Sequence, residues 1–183
     1  MKKIIAAALL CAAVATPALA QKESHWYLAL DAGTLKMQNT NYANPGSLTV
    51  SGGYRFNRNF ALEGGLTGYG DSTLVYNNGT TTAEQADARF LAVGILPLSQ
   101  SFDLFGKAGI GFHTAKVTGT GAYAGTYNKE TTTNVILGFG GQFNINSRFG
   151  LRLQYEALGK SKSSPSDPGA DISRVSIGGV LNF

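Results

Sequence analysis

The sequence predicts an all-β fold, an eight-stranded antiparallel up-and-down β-barrel preceded by a cleaved signal peptide. Three observations lead to this prediction. The first 20 of the 183 residues have the composition of a secretory signal. After them, apolar and polar residues alternate with a period of two in eight segments, and helical periodicity is almost absent. The connections between these segments alternate between short and long.

The signal peptide is predicted from a basic start, an apolar run and an Ala-x-Ala ending formed by Ala18 and Ala20. We therefore divide the chain into a signal peptide, residues 1–20, and one barrel domain, residues 21–183. The formal charge falls from +4 to +2 because two lysines leave with the signal. The domain has no clustered Lys/Arg face of the kind that nucleic acids need, so nucleic acid is not an expected partner.

Each alternating segment predicts one strand. The strands span residues 25–35, 48–56, 60–69, 86–96, 102–113, 134–143, 149–156 and 174–183. The alternation is clearest in the seventh strand and defines the register least well in the fourth. In chain order the apolar faces are Trp26, Leu28, Leu30 and Ala32; Leu48, Val50, Tyr54 and Phe56; Phe60, Leu62 and Leu66; Leu91, Val93 and Ile95; Phe102, Leu104, Ala108, Ile110 and Phe112; Val135, Leu137, Phe139 and Phe143; Phe149, Leu151, Leu153 and Tyr155; and Val175, Ile177, Leu181 and Phe183.

The connections predict which end of each strand faces which compartment. Short connections lie near residues 57–59, 97–101 and 144–147, and long ones span 36–47, 70–85, 115–131 and 159–171. An even number of strands of about ten residues, with short turns at one end and long loops at the other, is typical of a transmembrane barrel. Its short turns and both termini then lie in the periplasm.

Alternation also fits a soluble, lipocalin-like barrel with its apolar face inside, so the orientation needs further evidence. The polar faces combine charged residues with Gly and Ala, which suits a crowded interior. Aromatic residues such as Trp26, Phe60 and Phe149 lie beside the short turns, where an interfacial girdle belongs. The chain is 43% apolar and only 14% charged. These features favour an apolar face that contacts lipid.

The last strand ends in a pattern that resembles the C-terminal assembly signal of outer-membrane proteins. Its positions are Ser176, Gly178, Leu181 and Phe183. The resemblance implies localisation in the outer membrane of a Gram-negative bacterium, with periplasmic chaperones and the barrel assembly machinery as partners.

The whole domain resembles the small outer-membrane β-barrel family that includes the OmpA transmembrane domain and NspA. The stretches that carry the likeness are His25–Gly33, Phe60–Gly65, Phe102–Gly109 and Gly150–Tyr155. Such motifs specify architecture better than activity. The chain stops after the last strand, so the periplasmic peptidoglycan-binding activity of OmpA is not carried over.

Charged residues on the polar faces predict an ion-pair network in the lumen, because charges buried at low dielectric must be paired. The predicted members are Asp31, Arg55, Glu63, Lys107, Arg152, Glu156 and Arg174. The family resemblance implies that Glu63, Lys107 and Arg152 form salt bridges that plug the lumen. A narrow gated ion channel through this network is the alternative, although eight strands leave room for little more than side chains.

We expect no catalytic, cofactor-binding or metal site and no enzymatic activity. Lipid A-modifying enzymes exist on small barrels, but His113 is followed by Thr114 and Ala115 rather than by the Ser that a deacylase requires two residues on. His25 and His113 lie on different strands and make a poor metal site. The only cysteine, Cys11, lies inside the signal.

The predicted function is that of an integral, surface-exposed outer-membrane protein, with adhesion or ligand contact through its long extracellular loops. Outer-membrane lipid, including lipopolysaccharide, is the expected surrounding partner, and host surface molecules are the candidate partners of the loops. The competing functions are the narrow channel and the lipid A-modifying enzyme.

Overall fold

Antiparallel strands account for most of the described chain in a computed structural model that covers residues 24–37, 44–76, 79–124, 127–161 and 170–183. The predicted signal peptide, with Ala18 and Ala20, lies outside the described residues. A single-turn 3-10 helix at Gly121–Tyr123 is the one helical element of the described parts. The strands are β1 (His25–Met37), β2 (Gly46–Asn57), β3 (Phe60–Tyr69), β4 (Ser72–Tyr76), β5 (Gly79–Pro97), β6 (Phe102–Gly119), β7 (Tyr127–Asn144), β8 (Phe149–Ser161) and β9 (Ala170–Asn182).

Eight of these strands close into a barrel, as the sequence predicted. Neighbours along the chain pair in antiparallel fashion, β9 returns to pair with β1, and β3 pairs with β5. Strand β4 pairs only with β5 and lies outside the ring, in a hairpin that continues the β3–β5 pair. Closure leaves no sheet edge around the ring. A β-sheet in the membrane must be closed because lipid offers unpaired backbone groups no hydrogen-bond partner. Within the described residues no helix is long and apolar enough to cross a membrane.

The apolar faces point outward and the polar faces point inward on seven of the eight predicted strands, as predicted. Leu66, Val135 and Phe139 are 66–68% exposed to the surroundings, whereas Asp31 and Arg174 are 0–1% exposed in the lumen. The aromatic girdle is also present at the turn end, where the ring centroids of Trp26 and Tyr54 lie 4.9 Å apart. Such a distribution is inverted relative to a soluble domain and matches a lipid-facing surface.

The predicted face of the fourth strand is wrong. On β5, Leu91 and Val93 are buried in the lumen at 2% and 4% exposure, while Phe90 and Leu96 face outward at 65% and 46%. Both faces of this strand are apolar near its periplasmic end, so the alternation of Leu91, Val93 and Ile95 did not decide between them. The side chains of residues 87 and 89 on β5 therefore also face the lumen.

The short turns are confirmed at residues 58–59, 98–101 and 145–148. Side-chain oxygens fix two of them: the backbone N–H of Asn59 donates to Asn57 Oδ1 at 2.8 Å, and that of Arg148 donates to Asn146 Oδ1 at 2.9 Å. Asn favours such turns because its side chain satisfies the backbone two residues on.

The predicted long loops are shorter than expected, because much of their sequence is strand. Pairing of β5 with β6 continues out to Thr81 and Gly119, and pairing of β6 with β7 continues to Thr118 and Tyr127. These outer residues are rich in Thr, whose branched side chain favours strands. Together with β4 they form a four-stranded sheet beyond the apolar band, which we call the protruding sheet: residues 72–76, 79–86, 114–119 and 127–131. Parts of the other two loops, in 38–43 and 162–169, lie outside the described residues.

Candidate functional site in the barrel lumen

The lumen holds a first group of four charged side chains, the periplasmic quartet: Asp31, Glu63, Lys107 and Arg152. They come from β1, β3, β6 and β8. Side chains alternate along each strand, and these four lie at positions that face the lumen. Lys107 Nζ donates to Glu63 Oε1 at 2.8 Å, and Arg152 Nη1 donates to Glu63 Oε2 at 2.8 Å. Arg152 Nε donates to Asp31 Oδ1 at 2.7 Å, and Tyr27 Oη donates to Glu63 Oε2 at 3.0 Å. Two acids and two bases thus share one level of the lumen.

A second group, the extracellular quartet, lies one layer farther out: Asp87, Arg89, Glu156 and Arg174. Arg89 donates from Nη2 to Asp87 at 2.7 Å and from Nη1 to Glu156 at 2.8 Å. Arg174 Nε donates to Glu156 Oε2 at 3.0 Å, so this carboxylate joins both guanidinium groups. Tyr69 Oη donates to Asp87.

Both quartets are electrically neutral and almost fully shielded from solvent. The eight side chains are each at most 6% exposed. A buried charge without a partner costs several kcal/mol, and that cost is offset only when geometry and hydrogen bonding are good. Hydroxyl groups complete the outer layer, where Arg174 Nη1 donates to Thr49, and Thr49 and Thr67 share a hydrogen bond of 2.8 Å.

The structure distributes the predicted network members over three places. Glu156 and Arg174 belong to the second quartet rather than to a single network. Arg55 is apart from both quartets: it lies at the periplasmic mouth, where its Nη1 is 3.6 Å from Asp103 Oδ2 and its Nη2 donates to the carbonyl of Arg58 at 2.6 Å. Arg55 thus has Asp103 as its acidic partner, and it lines the same periplasmic cavity as Glu63, Lys107 and Arg152.

Asp87 and Arg89, which are central to the extracellular quartet, were not among the predicted lumen charges. The cause is the wrong face assigned to the fourth strand. Because Phe90 points outward and side chains alternate along a strand, residues 87 and 89 point into the lumen. The signal that could have identified them is a base two residues after an acid, with alanines at 86 and 88, just before a large aromatic residue.

Apolar clusters pack on both sides of the charged layers. One lies toward the periplasm and the other extends from the middle of the lumen to its extracellular end. Their buried members are Ala61, Val93 and Phe105, and Leu35, Tyr69, Leu91, Ile136, Leu158 and Ile172, respectively. At the periplasmic mouth a small cavity, partly open to solvent, reaches as far as the periplasmic quartet.

The predicted assembly-signal residues occupy both faces of β9. Ser176 Oγ accepts a hydrogen bond of 3.1 Å from Gln154 in the lumen, and Gly178 faces Asp31. Leu181 and Phe183 lie on the outward side, and the Phe183 N–H donates to the Trp26 carbonyl at 2.9 Å. Recognition by the assembly machinery stays a prediction.

The two histidines lie in different parts of the barrel. His113 is buried in the outer lumen, with its ring centroid 5.8 Å from that of Tyr69, and His25 lines the periplasmic cavity. In the described parts of the chain no three His, Cys, Asp or Glu side chains are placed to hold a metal ion.

Comparison with known proteins agrees with this architecture. The family model described as "Outer membrane protein beta-barrel domain" matches residues 4–183. Among solved structures, neisserial surface protein A is 17% identical, with a TM-score of 0.66, and the match covers 86% of this chain and 97% of that one. Ail of Yersinia pestis is 18% identical, with a TM-score of 0.58 and coverage of 90% and 100%. The N-terminal barrel of Pseudomonas aeruginosa OprF is 11% identical, with a TM-score of 0.59 and coverage of 86% and 97%. No curated protein matches the sequence.

Proposed function

We propose a function from the premise that this chain belongs to the outer membrane protein β-barrel domain family and resides in the outer membrane of a Gram-negative bacterium. Its function is contact with molecules outside the cell through the protruding sheet, on a barrel whose lumen is a structural core. The observation that carries the proposal is the continuation of β4–β7 beyond the apolar band.

The outer edge of β7 supports such contact. Strand β7 pairs with β6 out to Tyr127, but with β8 only from Leu137 to Asn144. Among the described residues no strand pairs with the remaining side of β7 between Tyr127 and Asn134, where one side-chain bond, Asn134 Nδ2 to the Lys160 carbonyl at 2.8 Å, links β7 to β8. An open strand edge offers backbone donors and acceptors to an extended polypeptide. Host or matrix proteins with extended segments fit this edge.

Solved relatives give a second kind of partner to test. One structure of Ail, 16% identical to this chain, contains the heparin analogue sucrose octasulfate. Sulfated polysaccharide is therefore a second candidate ligand of the extracellular surface, in addition to extended polypeptide.

Adhesion of whole cells tests the proposal. A non-adhesive Gram-negative host would display the protein, and its binding to immobilised matrix proteins and heparin would be measured. Replacing residues 71–82 by a two-residue turn should abolish adhesion while the barrel stays folded. Thr132→Lys, on the open edge, should weaken binding to polypeptide, since edge lysines oppose strand addition. Ala115→Lys, on β6 between two paired strands, is the matched control. Equal adhesion by cells with and without the protein would overturn the proposal.

We further propose that the lumen does not conduct ions. Two neutral quartets and apolar clusters on either side of them support this, since eight strands leave a lumen only wide enough for side chains. Protein in planar bilayers should show no unitary conductance, and neutralising Glu63 should not create one. Steady openings that disappear in Glu63→Gln would instead establish the channel.

We also propose that the protein does not modify lipid A. Deleting the gene, or replacing His113 by Ala, should leave the lipid A mass spectrum unchanged. A mass change that His113→Ala abolishes would establish an enzyme.

A further inference from the structure

The outward face of β6 and β7 changes in polarity in regular steps from the membrane band into the protruding sheet. Directly opposed residues on the two strands form a ladder of cross-strand pairs on this face. From the membrane outward, the pairs are Ile110–Val135, Phe112–Thr133, Thr114–Thr131 and Lys116–Lys129. The side chains therefore pass from apolar groups through hydroxyl groups to ammonium groups.

This order follows the polarity of a lipid leaflet from acyl chains to headgroups. Successive pairs are two residues apart, which is about 5 Å of height for strands tilted by about 40°. The Lys116 and Lys129 backbones thus lie about 10 Å above Phe112. Lysine side chains can lower their ammonium groups several ångströms along the surface, because their stems are apolar. Both ammonium groups can reach the level of lipid headgroups.

The two lysines face each other directly, which is unfavourable without an anion. Like charges at opposed positions of an antiparallel pair destabilise the sheet. Lys116 Nζ donates to Glu84 Oε2 at 3.1 Å, and this hydrogen bond raises the pKa of Lys116, so that its charge persists well above neutral pH. Glu84 compensates one of the two charges, and the patch formed by Glu84, Lys116 and Lys129 has a net charge of +1.

The neighbouring β8/β9 pair carries a different arrangement of charges. There Lys160 on β8 faces Asp171 on β9, so that the opposed charges compensate each other. Two exposed hydroxyl groups, Thr114 and Thr131, lie directly below the lysine pair and are 3.1 Å apart. They add hydrogen-bond donors for a ligand that carries hydroxyl groups next to its anionic group.

We propose that Lys116 and Lys129 bind the phosphate group of a phosphorylated glycolipid of the outer leaflet, with Thr114 and Thr131 contacting its sugar. Cationic side chains next to a bilayer attract anionic headgroups in this way. The site is lateral and is independent of contact through the sheet edge. It fixes the protein to particular lipid neighbours on its β6/β7 side.

Native mass spectrometry of the folded protein in neutral detergent tests this site, with diphosphorylated lipid A as the probe. Lys116→Gln and Lys129→Gln should each weaken binding about fivefold, and the double variant about thirtyfold. Lys160→Gln, on the compensated side, is the matched control and should bind like the original protein. A boiling-dependent mobility shift on gels verifies that each variant is folded.

Further probes identify the ligand chemistry. Lipid A from which both phosphates have been removed should bind no better to the original protein than lipid A does to the double variant. Equal binding of the phosphate-free lipid, or undiminished binding of lipid A by the double variant, would overturn the proposal. So would inorganic phosphate that competes at the concentration of the lipid, because the site would then recognise free phosphate rather than a headgroup.

Discussion

At the scale of residues, the barrel interior is a set of paired charges, most of which join different strands, whereas Asp87 and Arg89 pair within β5. Glu63 contacts Lys107 and Arg152, and Glu156 contacts Arg89 and Arg174. Each of these two glutamates thus contacts two basic side chains. Replacing one base leaves the buried negative charge with only one positive partner.

Arg89→Met is expected to lower the free energy of unfolding by about 3–5 kcal/mol, because it leaves Asp87 and Glu156 undercompensated in the lumen. Urea unfolding in lipid vesicles, followed by the fluorescence of the single tryptophan, Trp26, measures the change. Arg148→Met, in an exposed turn, removes the same charge and should have almost no effect. Equal stability of the two variants would contradict a structural role for Arg89.

Two adjacent glycines on β9 give a second comparison. A Cβ atom on Gly178 would overlap Asp31 Oδ1 and the Leu30 carbonyl oxygen, whereas a Cβ on Gly179 meets nothing within 4 Å. Gly178→Ala should therefore destabilise the barrel by about 1–3 kcal/mol through overpacking. Gly179→Ala should stay within about 0.5 kcal/mol of the original protein in the same unfolding experiment.

At the scale of elements, the alternating pattern predicted most strands and their faces from sequence alone. It succeeded where one face was apolar and the other polar, as in β8, whose residues 149–156 alternate without exception. It failed on β5, because the lumen also contains apolar clusters and Leu91 and Val93 belong to them. The outer halves of β6 and β7 were missed for another reason: Thr-rich stretches have the composition of loops, and only their pairing makes them strands.

Strand orientation predicts how the cost of a charge depends on depth. Leu153, near the middle of β8, faces outward at 58% exposure, and Leu153→Arg should cost about 2–4 kcal/mol of folding free energy in vesicles. Thr133→Arg, near the extracellular limit of the apolar band, should cost about 0–1 kcal/mol. If Leu153→Arg were tolerated as well as Thr133→Arg, this face of β8 would not contact lipid.

At the scale of the whole molecule, the ring of eight strands places the protruding sheet and the short turns at opposite ends. The sequence predicted this polarity from connection lengths and placed Asp31, Glu63, Lys107 and Arg152 in the lumen. It did not predict that Glu156 and Arg174 belong to a second layer, because a side chain's partners across a barrel depend on the shear between strands. Glu63 and Lys107, for example, lie on strands that are not neighbours in the ring.

Site-specific labelling checks the orientation in cells. Cys11 is the only cysteine of the sequence, so single cysteines can be placed in the barrel at Thr120 and Ser147, which are exposed at opposite ends. A large, membrane-impermeant maleimide should label Thr120→Cys on intact cells. Ser147→Cys should react only after the outer membrane is permeabilised. Labelling of both variants in intact cells would contradict a periplasmic position for the turns.

The quartets also affect the order of events when the chain folds. Arg152 and Asp31 are 121 residues apart in the sequence, and Arg174 and Thr49 are 125 apart. Contacts of such separation require a large part of the chain to be ordered first, which makes them slow to form. The charges of the earliest strands therefore lack their partners until β8 and β9 arrive. Ring closure is thus the step that neutralises the interior, and a chain that lacks its last two strands enters a bilayer with uncompensated charge.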